Sequence, residues 1–196
     1  ILEGVVGGPS ELAPGATAYV SGQRGTWLGA AGVADVSTCA PMPVDARMRL
    51  ESVSKIYTAA LILQLAQEKK FSVGDTVDRW LPGLLPYGDR ITIRQLLTMS
   101  SGLIDNNDFN NAPPGLRAIY VQRVKDPELQ AELRAAWSRA QDNPATVVSE
   151  TLWVRWAAWQ PLLFTPGSGH HYSNIGYDIL GLIAERAGGE PLATLY

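Results

Sequence analysis

The run Ile56-Tyr57-Thr58-Ala59-Ala60-Leu61-Ile62-Leu63-Gln64-Leu65-Ala66 contains only two polar residues, Thr58 and Gln64. It is too long for an ordinary buried strand, and its Ala, Leu and Gln content favours helix. The spacing predicts a helix within residues 51–68. A helix apolar on nearly every side belongs at the centre of a domain. It is also too short and too interrupted to span a membrane. Ser52 and Lys55 stand at its start, three residues apart, so both side chains fall on one face about one turn apart. The ammonium of Lys55 can then reach the hydroxyl of Ser52. The amino end of a helix favours negative charge, which helps a serine become an alkoxide.

By itself, Ser-x-x-Lys is a weak signal. With twelve serines and four lysines in 196 residues, chance supplies roughly 0.24 such pairs per chain. The plain alternative is a capping serine followed by a solvated lysine. Placement favours the chemical reading, because a lysine at the mouth of so apolar a helix is expected in a cleft rather than loose in water.

The length of 196 residues allows one domain, or part of a larger one, with a substantial core. A net charge of −3 gives no reason to expect nucleic acid or an anionic membrane as partner. The single cysteine, Cys39, excludes an internal disulfide. It lies in the turn-like Ser37-Thr38-Cys39-Ala40-Pro41 and reads as a spare thiol. With only two histidines, the adjacent His170 and His171, a zinc site is not expected; these read as loop residues. No Gly-x-Ser-x-Gly elbow and no nucleotide-binding glycine pattern is present.

Residues from about Ala16 to Val36 read as a β-hairpin turning at Ser21–Gly25. The small residues of its second strand suggest close packing against a helix, although a plain structural sheet is much the stronger reading. Pro41-Met42-Pro43 breaks the chain, and Arg47 to Leu50 leads extended into the apolar helix. Lys69 to Asp89 is turn-rich. Thr92-Ile93-Arg94-Gln95 is a capping-box pattern opening a short helix to about Met99, closed by Ser100-Ser101-Gly102. Asp105 to Pro114 is expected to be a polar loop. Leu116 to Gln141 reads as two charged helices split at Pro127, and Ala145 to Trp159 as another. That last helix carries Trp153, Trp156 and Trp159 near one face, a stripe suited to core packing or, less readily, to a substrate wall.

Thr165 to Gly169 makes a turn, after which Ser173 or Asn174 can cap a helix from about Ile175 to Ala187 closed by Gly188-Gly189. Tyr172 and Asn174 precede that helix two residues apart, where irregular backbone can aim both into one cleft. Chance gives roughly 0.21 Tyr-x-Asn per chain, so this pair also needs company.

Together, however, Ser52-Val53-Ser54-Lys55, then Leu96-Leu97-Thr98-Met99-Ser100-Ser101-Gly102-Leu103, then Pro166-Gly167 with Tyr172-Ser173-Asn174-Ile175-Gly176-Tyr177, resemble the penicillin-recognising serine hydrolases. The likeness is to class C β-lactamases, DD-carboxypeptidases and related esterases, and it covers about Pro14 to Pro191. Met99 stands where such proteins often carry histidine. The resemblance implies an α+β fold of the β-lactamase/transpeptidase type, an antiparallel sheet flanked by helices with a helical subdomain. Residues 1–196 would be the amino-terminal part of one such domain. Residues 1–50 would supply hairpin and lead-in, 51–68 the central helix, 69–164 a mostly helical part, and 165–196 the Tyr-x-Asn loop and its helix.

The implied mechanism has Ser52 attacking a carbonyl of a β-lactam, a D-amino-acid peptide or an ester. Lys55 helps remove and place its proton, and Tyr172 acts as proton acceptor and donor. Asn174 hydrogen-bonds the substrate amide and Lys55. The Ser52 backbone N–H supplies one oxyanion donor, and water hydrolyses the acyl-enzyme. No metal and no cofactor is implied, and the partner is a small-molecule or peptide substrate. The expected setting is secreted, periplasmic or cell-envelope, although no signal peptide opens the sequence.

The family's third motif, Lys/His-Thr/Ser/x-Gly, has no match after Asn174. The sheet is therefore expected to be incomplete here. Either the chain is the amino-terminal portion of a larger protein, or a second chain or another copy completes it. By itself it would then have little activity. A non-catalytic relative that binds or scaffolds is the alternative.

Overall fold

A computed structural model describes residues 2–6, 13–142 and 148–196. They fall into two compact units, Ile1–Glu51 and Ser52–Tyr196. No helix among the described residues is long and apolar enough to cross a membrane.

The first unit holds the short helix α1 (Leu2–Val6) and a three-stranded antiparallel sheet in the order β1-β2-β3. β1 is Gly15–Gly22, β2 Gly25–Asp35 and β3 Ala40–Pro41. The register runs from Gly15 opposite Gly32 to Gly22 opposite Gly25, so the hairpin is tighter than the sequence suggested, with only Gln23 and Arg24 in its turn. β3 was not anticipated; Pro41 has no N–H to give and sits on this short end strand. A helix does lie against this hairpin, since α1 packs on β1 and β2, and Gly29 has a local reason to be small as well. A Cβ on Gly29 would come within 2.4 Å of the Trp27 indole, so the ring occupies the space that a side chain at 29 would need. Cys39 is exposed.

The second unit contains helices, and the expected order holds. A 3₁₀ turn at Glu51–Val53 runs into α2 (Ser54–Gln67). Then come α3 (Val77–Trp80), α4 (Ile93–Leu97), α5 (Asn106–Asn110), α6 (Pro114–Arg123), α7 (Pro127–Asp142), α8 (Glu150–Ala157), α9 (Asn174–Gly188) and α10 (Leu192–Leu195). The Thr92–Gln95 capping box forms in full. Pro127 opens α7, where its missing N–H costs nothing. The helix expected from Ala145 is described from Glu150; residues 145–147 lie outside the described residues. The Asp105–Pro114 stretch is not a plain loop. Asp105 caps α5, with Asp108 completing a capping box.

The most enclosed helix of this unit is α9, not α2. Helices α2, α3, α4, α8 and α10 pack against α9. Its buried face is Ile175, Gly176, Ile179, Leu180, Gly181, Ile183 and Ala184. Large side chains such as Ile179 and Ile183 each contribute about 1.5–3 kcal/mol by burial. α2 buries Thr58, Leu61, Ile62 and Leu65, while Ile56, Tyr57 and Leu63 on its other side are covered by nothing in the unit. A second cluster gathers around Phe109, whose ring meets Tyr120, Trp137, Trp153 and Trp156 at centroid distances of 5.4–6.4 Å. Trp153 and Trp156 are therefore core residues, and Trp159 is 40% exposed.

The turn after α2 is held by one carboxylate. Asp75 accepts from the Ser72 N–H at 3.1 Å, the Trp80 indole at 3.2 Å and Arg79 at 2.9 Å. Burial alone would push its carboxyl up, but these donors outweigh it and hold the group below its ordinary 3.8. A depressed carboxyl stabilises the fold above its unfolded-state value and loses that contribution as pH falls through the folded-state value. Asp75→Asn should therefore lower unfolding free energy near pH 7 by about 1–3 kcal/mol. The deficit should shrink on acidification below pH ~4. Urea unfolding at several pH values measures this; a deficit unchanged between pH 7 and 2 would contradict the assignment.

Candidate active site

Ser52 sits in the 3₁₀ turn and Lys55 in the first turn of α2, so three residues of helical rise bring them together. The Lys55 ammonium donates to Ser52 Oγ at 3.3 Å and to Asn174 Oδ1 at 2.6 Å. Its Nζ also lies 5.1 Å from the ring centre of Tyr172 and 5.7 Å from that of Tyr177, within cation–π range of both. Ser52 Oγ and Tyr172 Oη are 2.6 Å apart, a distance at which either hydroxyl can donate. All four residues singled out in the sequence, Ser52, Lys55, Tyr172 and Asn174, thus form one hydrogen-bonded cluster. Tyr177 donates to the Leu97 carbonyl at 3.2 Å; burial first, and the nearby Tyr172 second, push its phenol up. Its hydroxyl proton is engaged by that carbonyl rather than by Ser52 or Lys55.

Tyr172 and Asn174 are placed by the start of α9. Ser173 caps that helix, its hydroxyl oxygen accepting from the Gly176 N–H at 3.2 Å and its O–H donating to the Ile104 carbonyl at 3.3 Å. The loop ahead of it is strapped to residues 99–102. The His171 N–H donates to the Met99 carbonyl, the Gly167 N–H to Ser100 and the Leu163 N–H to Gly102, at 2.8–2.9 Å. The Ser173 N–H reaches the Met99 sulfur at 3.4 Å. Met99, at φ 56°, therefore grips the backbone on both sides of Tyr172.

Three polar residues near the cluster were not anticipated. Asp105, 2% exposed, accepts from the Asn174 backbone N–H at 2.6 Å and from its side-chain Nδ2 at 3.2 Å. Asn106 Oδ1 accepts from the same Nδ2 at 3.1 Å. His171 Nε2 and Asp108 Oδ2 are 2.8 Å apart. The available signal was the Asp105-x-x-Asp108 spacing, a capping box with Asp in place of Glu or Gln. His170 and His171 are loop residues as expected, and no three His, Cys, Asp or Glu among the described residues cluster as metal ligands would.

A family model described as Beta-lactamase matches residues 8–196. The chain belongs to the β-lactamase family. It is 34% identical over 170 residues to the esterase EstB of Burkholderia gladioli, covering 84% of this chain and 38% of that protein. It is 32% identical over 158 residues to penicillin-binding protein 4* of Bacillus subtilis strain 168, covering 81% of this chain and 29% of the relative. Among solved structures, a D-stereospecific amidohydrolase from Streptomyces sp. superposes with a TM-score of 0.72 at 27% identity, over 99% of this chain and 49% of its own. The chain thus spans less than half the length of each of these three. The β-lactamase-type fold is shared, with a three-stranded antiparallel sheet among the described residues.

Within this member of the β-lactamase family the strap at residues 99–102 depends on one glycine. Gly102 has φ +77°, and a Cβ there would stand 2.4 Å from the Phe164 carbonyl oxygen. Gly102→Ala adds left-handed strain to a clash with backbone that cannot rotate away, together about 2–4 kcal/mol. The expected result is a lower unfolding free energy and a loosened Tyr172 loop, seen as faster amide exchange at His171 and Ser173. Wild-type exchange at both positions would show that the strap does not hold the loop.

Proposed function

We propose that the whole protein is a serine hydrolase that works through an acyl-enzyme at Ser52, on a β-lactam, a D-amino-acid peptide or amide, or an ester. The observation that carries this reading is the cluster geometry. A serine hydroxyl touches both a lysine ammonium and a tyrosine phenol, and the lysine is fixed from its other side by an asparagine. Nucleophile, proton carrier and orienting group are the parts that acyl transfer needs.

Ser52 Oγ attacks the substrate carbonyl carbon and gives up its proton to the Tyr172–Lys55 pair. The oxyanion accepts a hydrogen bond from the Ser52 backbone N–H. Collapse of the tetrahedral intermediate breaks the bond to the amine or alcohol, which leaves with the proton carried by Tyr172. Water then adds to the acyl-Ser52 ester by the same route in reverse, releasing the acid and restoring the Ser52 hydroxyl. Asn174 Oδ1, which accepts from Lys55 with one lone pair, offers the other to the substrate amide N–H. The names of the relatives, an esterase, a penicillin-binding protein and a D-stereospecific amidohydrolase, support the range of carbonyl substrates.

Intact-mass analysis of the full-length natural protein after exposure to a penicillin and to a fluorophosphonate should show one adduct, on Ser52. An adduct that survives Ser52→Ala, or that maps to Ser54, would sink the reading, and no adduct with either reagent would favour a non-catalytic binding relative. Tyr172→Phe should lower turnover by about two to four decades and leave substrate binding nearly intact. Wild-type turnover in that variant across the pH range would reduce Tyr172 to a packing residue.

A further inference from the structure

We infer that Asp105 is a positioning residue for this site: its buried carboxylate sets which way the Asn174 carboxamide faces, and through it holds Lys55 on Ser52. The inference rests on the hydrolase reading above and adds a residue to it. A carboxamide is two-faced, with an acceptor oxygen on one side and a donor NH₂ on the other, related by a half-turn of the side chain. Lys55 needs the oxygen, because two sets of N–H donors facing each other repel. Nothing in Asn174 itself selects that orientation.

Asp105 does. An ionised carboxylate accepts only, so the group it faces must donate. Asp105 Oδ2 meets Asn174 Nδ2 at 3.2 Å, and Asn106 Oδ1 takes the same nitrogen at 3.1 Å. With Nδ2 pinned by two acceptors, Oδ1 must point the other way, where Lys55 Nζ lies at 2.6 Å. The other carboxylate oxygen, Oδ1, binds the Asn174 backbone N–H at 2.6 Å. That N–H is among the first of α9, which have no partner within the helix. Backbone and side chain of Asn174 are thus gripped by one residue.

Asp105 is itself immobilised. Its N–H donates to Asp108 Oδ2 at 2.9 Å and its Oδ2 also accepts from the Asn107 N–H at 3.2 Å. Asp108 Oδ2 in turn pairs with His171, the residue before Tyr172. Phe109, next in the turn and 1% exposed, is anchored in the aromatic cluster. The first turn of α5 therefore touches the loop on both sides of Tyr172. Asp105 does not contact Ser52, Lys55 or Tyr172 in this arrangement; it acts through Asn174.

Asp105→Asn is nearly isosteric and replaces one acceptor by a donor, so it should release or turn the Asn174 carboxamide. In the full-length natural protein, the second-order rate of Ser52 acylation by a short-chain nitrophenyl ester, read from the nitrophenolate released, is compared in wild type, Asp105→Asn, Asn174→Ala and the double variant. Crystal structures of wild type and Asp105→Asn accompany the rates. The single Asp105→Asn change should slow acylation by about 10- to 100-fold. The double variant should be no slower than the slower single one, because both changes remove the same contact. Asp105→Ser keeps a capping oxygen for Asn107 but cannot hold both N–H groups of Asn174; it should slow acylation alike, and it replaces Asp105→Asn if that variant does not fold. Losses that multiply in the double variant, or a rate within about twofold of wild type for the single change, overturn the positioning role. If wild type is never acylated at Ser52, the hydrolase reading falls and the crystal structures decide this one. Lys55 Nζ out of hydrogen-bond range of Asn174 in the variant supports it; an unchanged contact overturns it.

Discussion

The site depends on one ammonium group being held from two sides. Lys55 Nζ directs two of its N–H bonds at the Ser52 hydroxyl, in the 3₁₀ turn just ahead of its own helix, and at the Asn174 carboxamide at the start of α9, among two tyrosine rings. A charge drawn partly out of water is stabilised by such partners, which replace the hydration it loses. The same requirement fixes the relation between the amino ends of α2 and α9. Residues 119 apart in sequence meet at 2.6 Å only if the two helices lie alongside each other. Small residues on α9 allow its neighbours in. Leu96 comes within 3.6 Å of where a Gly176 Cβ would be, and Leu192 within 3.1 Å of one on Gly181. Packing of apolar helices therefore sets the distance over which the proton chemistry works.

Helix packing alone does not aim Tyr172. Its loop is irregular, and its direction is imposed by backbone hydrogen bonds to Met99, Ser100 and Gly102 and by the Ser173 cap. Met99 carries a left-handed backbone without being glycine, a costly conformation that persists only where surroundings over-determine it. Here they do: its carbonyl and its sulfur both accept from the Tyr172 loop. The position that often holds histidine in related proteins thus has a structural reason to keep a side chain that accepts hydrogen bonds.

The parts legible in the sequence were those governed by short-range rules. Ser52 and Lys55 share a face because a helix repeats every 3.6 residues, and the Thr92 box and the Ser173 cap follow from local hydrogen bonding. The order of motifs identified the family, and with it a likeness between Tyr172, Asn174 and the earlier pair that no local rule could supply. What escaped notice was non-local. Asp105 looked like one more polar residue in an Asn-rich stretch, because its importance lies in meeting Asn174, 69 residues on. Which of two apolar helices would be the better enclosed was equally hidden. The run in α2 is the more continuous, but enclosure is decided by how many elements pack on a helix, and the chain sends more of them to α9.

The continuous apolar character of α2 then acquires a physical meaning. Helices with one buried face need one apolar stripe, and α2 has two. Thr58, Leu61, Ile62 and Leu65 form the buried one. Ile56, Tyr57 and Leu63, at 68%, 55% and 56% exposure, form a second that nothing in its own unit covers. Each large side chain left in water forgoes about 1.5–3 kcal/mol of burial. At 55–68% exposure these three realise only part of that gain, which is not small beside the 5–15 kcal/mol by which a domain is typically stable. A stripe of this kind on the helix that carries Ser52 and Lys55 means that the helix is anchored from one side only within Ser52–Tyr196. Because the Lys55 contacts span only a few ångströms, the hold of α9 on the buried stripe is what keeps Ser52 and Lys55 close to Asn174 and Tyr172. Packing that stabilises α2 and packing that positions the site are then largely the same contacts, those of its one buried face.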